Sequence, residues 1–310
     1  MPFLGELYAL AAAMTWAVAL VLFKRSGETV GPLSLSLFKN VVASTALAAT
    51  LALVAVFPAG IVEGPVGVVV EQRLSDLSWW DVIVLLCSGV LGIAIADTLL
   101  FYSLNLIGVG LVTVAECSYS PCVMVLAWVM LGEKLAMHHV VGGAMVLSGL
   151  FLSSTHAPPP GRSQGQILWG SACAVMAIAL MAVGIVWAKP VIQRAPLLPV
   201  TMVRLIGGTV VLGVILALHR RRNGHYEVFR PARSWRTMAP ASLLGTYLAM
   251  IFWVGGFKYA DAAVAAVLNQ TSTIFALIMA ALILKEPFTR RKLLAAILAF
   301  AGVVVVIRPW

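Results

Sequence analysis

Residues 109–134 read VGLVTVAECSYSPCVMVLAWVMLGEK, and residues 262–287 read AAVAAVLNQTSTIFALIMAALILKEP. Laid on one another without a gap, at an offset of 153, Ala127 falls on Ala280, Leu131 on Leu284 and Glu133 on Glu286. The register extends outward over 80–154, where Gly92 falls on Gly245 and Gly149 on Gly302. Residues 1–57 recur at an offset of 165, with Gly5 on Gly170, Lys24 on Lys189 and Lys39 on Arg204. The offsets differ by 12, so the halves differ mainly by one loop around 58–78. Apolar segments match by chance, but charges matched at equivalent helix ends do not. The chain is written twice.

Of its 310 residues 61% are apolar and 11% charged, against the usual quarter charged for soluble domains. No soluble core needs that much apolar surface, so the solvent is lipid. The net charge of +9 sits in short loops between apolar runs, where Lys and Arg set topology, and no aromatic-basic strip suits a nucleic acid. The first apolar run has no basic n-region before it, which reads as a retained helix rather than a signal peptide. Cys87, Cys117, Cys122 and Cys173 all fall in apolar runs, as thiols packed like small hydrophobes do.

A spanning helix needs about 20 apolar residues. Ten candidates are found, at 4–23, 34–57, 80–102, 109–131, 136–154, 167–188, 199–218, 238–257, 262–284 and 292–308. The all-α expectation is thus ten transmembrane helices as two inverted five-helix repeats, 1–155 and 165–310, joined by a Pro/Gly linker at 156–164. The inversion follows from five being odd: the second half enters the membrane from the opposite side. Duplication inside an apolar chain points to a carrier with its site between the repeats. Loops after the odd-numbered helices hold thirteen Lys and Arg, including Arg220-Arg221-Arg222; the other face holds Arg73, Lys134, Lys189, Arg194, Lys258 and Arg308. By charge, both termini lie outside.

The chain resembles the EamA branch of the drug/metabolite transporter superfamily. The resemblance rests on Trp16…Lys24 ending helix 1, on Lys39 repeated as Arg204, and on Leu131-Gly132-Glu133-Lys134 and Leu284-Lys285-Glu286-Pro287 ending helices 4 and 9. Each of these endings precedes a Gly-containing apolar helix. The resemblance implies a multi-pass protein of the cell membrane, the plasma or inner membrane of a bacterium. It implies a secondary carrier for small metabolites, amino acids among them, working without a cofactor. It also implies cytoplasmic termini, against the charge count.

Asp97 and Glu116 lie inside apolar runs, ten residues before and nine after a turn expected near Ile107, so each is about 14–15 Å deep. Two carboxyls at one depth on consecutive antiparallel helices can approach each other, and such a pair could exchange a proton. A charge at that depth is costly and usually functional; the plain alternative is a protonated acid bonding a neighbouring helix. The second repeat has Met250 and Asn269 in their places. Asn269, Gln270 and Thr271 therefore face Glu116, Ser118 and Tyr119 across the repeats as substrate-binding candidates, against ordinary interhelical bonding. Pro121 could kink helix 4 and free carbonyls there. Lys39 and Arg204 could attract an anionic substrate at each mouth, or snorkel to the interface. Trp16 and Tyr102 could line a cavity or pack. Glu133 and Glu286 are expected to pair with Lys134 and Lys285. His138 and His139 lack partners at metal-ligand spacing, no phosphate-binding loop is present, and no nucleophilic triad is suggested, so neither metal nor catalytic residue is expected.

The function expected is export of a small organic metabolite by alternating access, with protons the candidate coupling ion through Glu116 and Asp97, in a monomer or homodimer. The rival is a membrane-embedded enzyme acting on a lipid-linked substrate.

Overall fold

The computed structural model describes residues 3–27, 30–56, 77–153, 161–218, 227–230, 234–275, 279 and 290–307. The loop 58–76, linker residues 156–160, the Arg220-Arg221-Arg222 run and Lys285-Glu286-Pro287 lie outside the described residues, as does the Lys24 side chain. Regular structure among the described residues is entirely helical. The order is α1 Leu4–Gly27, α2 Pro32–Val56, α3 Trp79–Gly89, a π-helical turn Val90–Ile95, α4 Ala96–Glu116, α5 Tyr119–Leu131 and α6 Met137–Ser153. Then come α7 Gln164–Arg194, α8 Leu197–Leu218, a short 3₁₀ turn, α9 Trp235–Ser242, a second π-helical turn Leu243–Leu248, α10 Ala249–Tyr259, α11 Ala262–Gln270 and α12 Arg290–Ile307. Among the described residues five helical runs are long and apolar enough to cross a membrane, and four shorter apolar helices accompany them.

Two expectations shift. α7 reaches Arg194, six residues past the expected 188, with Pro190 inside it. The three donors of Lys258 Nζ take the Ile192, Gln193 and Ala195 carbonyls, which caps this longer end. The turn expected near Ile107 does not appear as a gap, since α4 runs from Ala96 to Glu116. It shows in the contacts. The Ser88 and Ser103 hydroxyls donate to the Gly184 and Gly170 carbonyls, so this path runs antiparallel to α7. By Glu133 the chain is back beside Lys189. A straight helix would carry it about 45 Å onward from Ser103; it has returned about 28 Å along α7 instead. The chain therefore reverses between Ser103 and Glu133, and Ile107 sits against Gly170.

Contacts in the two halves come in exchanged pairs. α1 packs along the α9–α10 run, and α7 along the α3–α4 run. A Cβ built on Gly5 would meet Tyr259 and Ala260; one built on Gly170 would meet Leu106 and Ile107, the matching residues. Ala19 packs on Gly245 as Gly184 packs on Gly92. The π turns, Val90–Ile95 and Leu243–Leu248, coincide at the offset of 153. Ser44 and Thr209, equivalent at the offset of 165, meet hydroxyl to hydroxyl at 3.5 Å. Equivalent residues touching each other mark a two-fold relation between the halves.

Candidate functional site

The expected single helix 109–131 is broken at Cys117–Ser118, before Pro121 rather than at it. The matching break in the second half is at Thr271. The same bonds close both. The Ser118 N–H and hydroxyl donate to the Ala115 carbonyl at 2.9 and 2.6 Å. The Thr271 N–H and hydroxyl donate to the Leu268 carbonyl at 3.1 and 2.6 Å. A hydroxyl bonded back to its own preceding turn competes with the helical ladder, which explains why both helices stop there. The breaks face each other, since Gln270 Nε2 donates to the Glu116 carbonyl at 2.6 Å.

Asp97 and Glu116 form no bond with each other. Asp97 instead accepts from Lys39 Nζ at 3.0 Å, and the pair is largely buried. Lys39 is thus held in a largely buried ion pair whose counter-ion its own repeat supplies. Arg204, its equivalent, is only 1% exposed, and its Nε and Nη1 have no hydrogen-bond partner. Where Asp97 would recur stands Met250, packed with Leu205. The Arg204 guanidinium lies over the Trp253 ring, 5.2 Å from its centroid, and within electrostatic reach of Tyr119, the first residue of α5. Arg204 is thus also an interior group rather than a mouth charge.

The remaining candidates divide. Ser118, Thr271 and Asn269, whose amide donates to the Ala265 carbonyl, are engaged within their own helices. Gln270 and Tyr119 stand at the break. Trp16 packs with Phe23 and against Gly245, and Tyr102 is 50% exposed, so neither lines the break. Glu133 pairs with Lys189 of the other half rather than with exposed Lys134, and its carboxylate also accepts from the Ala262 N–H at 2.9 and 3.2 Å. Gly132, left-handed at φ 67°, makes the turn that aims Glu133 at the start of α11. Arg194 pairs with Asp81 at the same end of α7. Among the described residues no group of three His, Cys, Asp or Glu could hold a metal ion.

The model of the EamA-like transporter family matches residues 3–155 and again 168–308. The chain belongs to the EamA-like transporter family. It is thereby a membrane transporter of the drug/metabolite type. A solved structure described only as "Crystal structure of protein" superimposes on this EamA-like chain with a TM-score of 0.77 over 98% of it and 96% of the other, at 17% identity. That likeness shows the fold alone. No match to the chain is found among curated proteins.

Sequence reading missed the Lys39–Asp97 pair and the buried guanidinium without a carboxylate partner that results at Arg204. The signal was present: repeat one holds both Lys39 and Asp97, and repeat two keeps the base as Arg204 but has Met250 in place of the acid. Chemically, the EamA-like centre combines two interrupted helices joined by the Gln270–Glu116 bond with a buried Arg204 guanidinium that no described carboxylate pairs with.

Proposed function

We propose that this chain exports a small organic metabolite, an amino acid or related compound, across the cell membrane by alternating access between two inverted repeats. The observation that carries this reading is the bond from Gln270 to the Glu116 carbonyl, which joins two helix breaks at equivalent positions. Broken helices meeting at a repeat interface are where carriers bind solute. The exchanged contacts of α1 and α7, each antiparallel to its partner run, support inversion of the repeats about an axis through Ser44 and Thr209. Membership of a family of transporters favours a carrier over the enzyme reading.

Glu116 is the coupling group in this proposal, and Asp97 is withdrawn to the ion pair with Lys39. Purified protein in liposomes loaded with candidate metabolites tests the reading. Exchange of labelled for unlabelled solute supports it; product formation without flux would replace it by the enzyme.

A further inference from the structure

Symmetry sharpens the meaning of Arg204. In the first repeat a buried base, Lys39, meets a partly buried acid, Asp97, at 3.0 Å. In the second repeat the base is kept and the acid is Met250. Arg204 cannot shed its charge as a lysine could, so neutralisation by proton loss is not open to it. A buried charge lacking a counter-ion costs several kcal/mol and persists where function uses it. Its Nε and Nη1 are unbonded, and the Trp253 ring covers one face.

Room for a methyl group lies beside it. A Cβ built on Gly92 would find nothing nearer than Arg204 Nη2 at 3.9 Å, whereas one on the equivalent Gly245 would fall 2.6 Å from Ala19 Cβ. The Tyr119 phenol, on the first residue of α5, lies within electrostatic reach of the guanidinium. Next to Tyr119 in the chain, the Ser120 hydroxyl on α5 is buried without a partner.

We infer that Arg204 is the anion-recognition point of the transport site and that the solute carries a carboxylate, which takes the place Asp97 holds toward Lys39. This rests on the carrier reading and names its substrate class. Trp253 and Tyr119 flank the carboxylate, so the adjoining part of the solute is apolar or aromatic.

The test is thermal unfolding of the purified full-length protein with millimolar acetate, benzoate, L-alanine or L-phenylalanine, each against its amide. A carboxylate should raise the Tm by several degrees, its amide should not, and the rise should vanish in Arg204→Gln. Met250→Asp, which rebuilds the pair of the first repeat, should raise the ligand-free Tm and abolish the carboxylate shift. Equal shifts from acid and amide, a shift that survives Arg204→Gln, or no carboxylate shift at all overturns the inference. Should Met250→Asp not insert, the acid–amide comparison on the native protein still decides. Counterflow in liposomes separates the two readings. Carboxylate binding through Arg204 without flux keeps this inference and removes the carrier; flux of a neutral solute without carboxylate binding does the reverse.

Discussion

Lys39 and Arg204 occupy the same place in two copies of one unit, and a single difference, Asp97 against Met250, gives them different work. Lys39 and Asp97 neutralise each other in the interior. Asp97→Asn should therefore destabilise the protein by about 3 kcal/mol by stranding a buried ammonium, while Lys39→Met with Asp97→Leu should recover most of it. Thermal unfolding of the singles and the double measures this. Glu116 has no such counter-ion bond. Glu116→Gln keeps its shape and removes its proton, so the variant should fold, lose flux driven by a pH gradient and retain solute exchange. Native-rate transport under a pH gradient in that variant would show the carboxyl to be structural. At this scale the sequence made the buried charges visible, because ionisable residues stand out in apolar runs. It did not reveal their partners, since Asp97 is 58 residues from Lys39 and 19 from Glu116, and only packing chooses between them.

At the scale of elements, the Gly132-Glu133 ending of α5 has a definite task. Gly132 terminates α5 in the left-handed conformation, and Glu133 then satisfies a buried lysine and an orphan N–H of α11 together. Glu133→Ala should lower the Tm markedly, whereas Lys134→Ala, at an exposed site, should stay within about 0.5 kcal/mol. Close helix packing adds a second constraint. A Cβ on Gly89 would fall 1.9 Å from the Arg204 carbonyl, so Gly89→Val should impair folding of α3 against α8, while Gly165→Val, with open space around it, should not. Protein yield and Tm compare the two. Helix number and position were largely legible from apolar length, but the interruptions were not. Propensity pointed to Pro121; the backbone yielded instead at Ser118 and Thr271, where hydroxyls offer the preceding carbonyls an alternative bond.

Across the whole molecule the repeat was legible because both copies kept their glycines and helix-end charges in register. Its consequences at the centre, a π turn in each third helix and a break in each fourth, required the backbone. Orientation is a further matter at this scale. Lys189, Arg194 and Lys258 on the less basic face are engaged by Glu133, Asp81 and the α7 carbonyls, which leaves that face poorer still in free cations. The charge argument then sends Arg220-Arg221-Arg222 to the cytoplasm. A single cysteine at Asn223, in a background without native cysteines, should resist an impermeant thiol reagent in intact cells; labelling there would restore the cytoplasmic termini of the family. The central claim is that the paired breaks open to each side in turn. Cys117 lies at the first break, half-buried and outside any disulfide. With Cys87, Cys122 and Cys173 replaced, it should react with impermeant reagents in both right-side-out and inside-out vesicles. Reaction from one face alone, in both preparations and with or without exchanged solute, would contradict alternating access at this site.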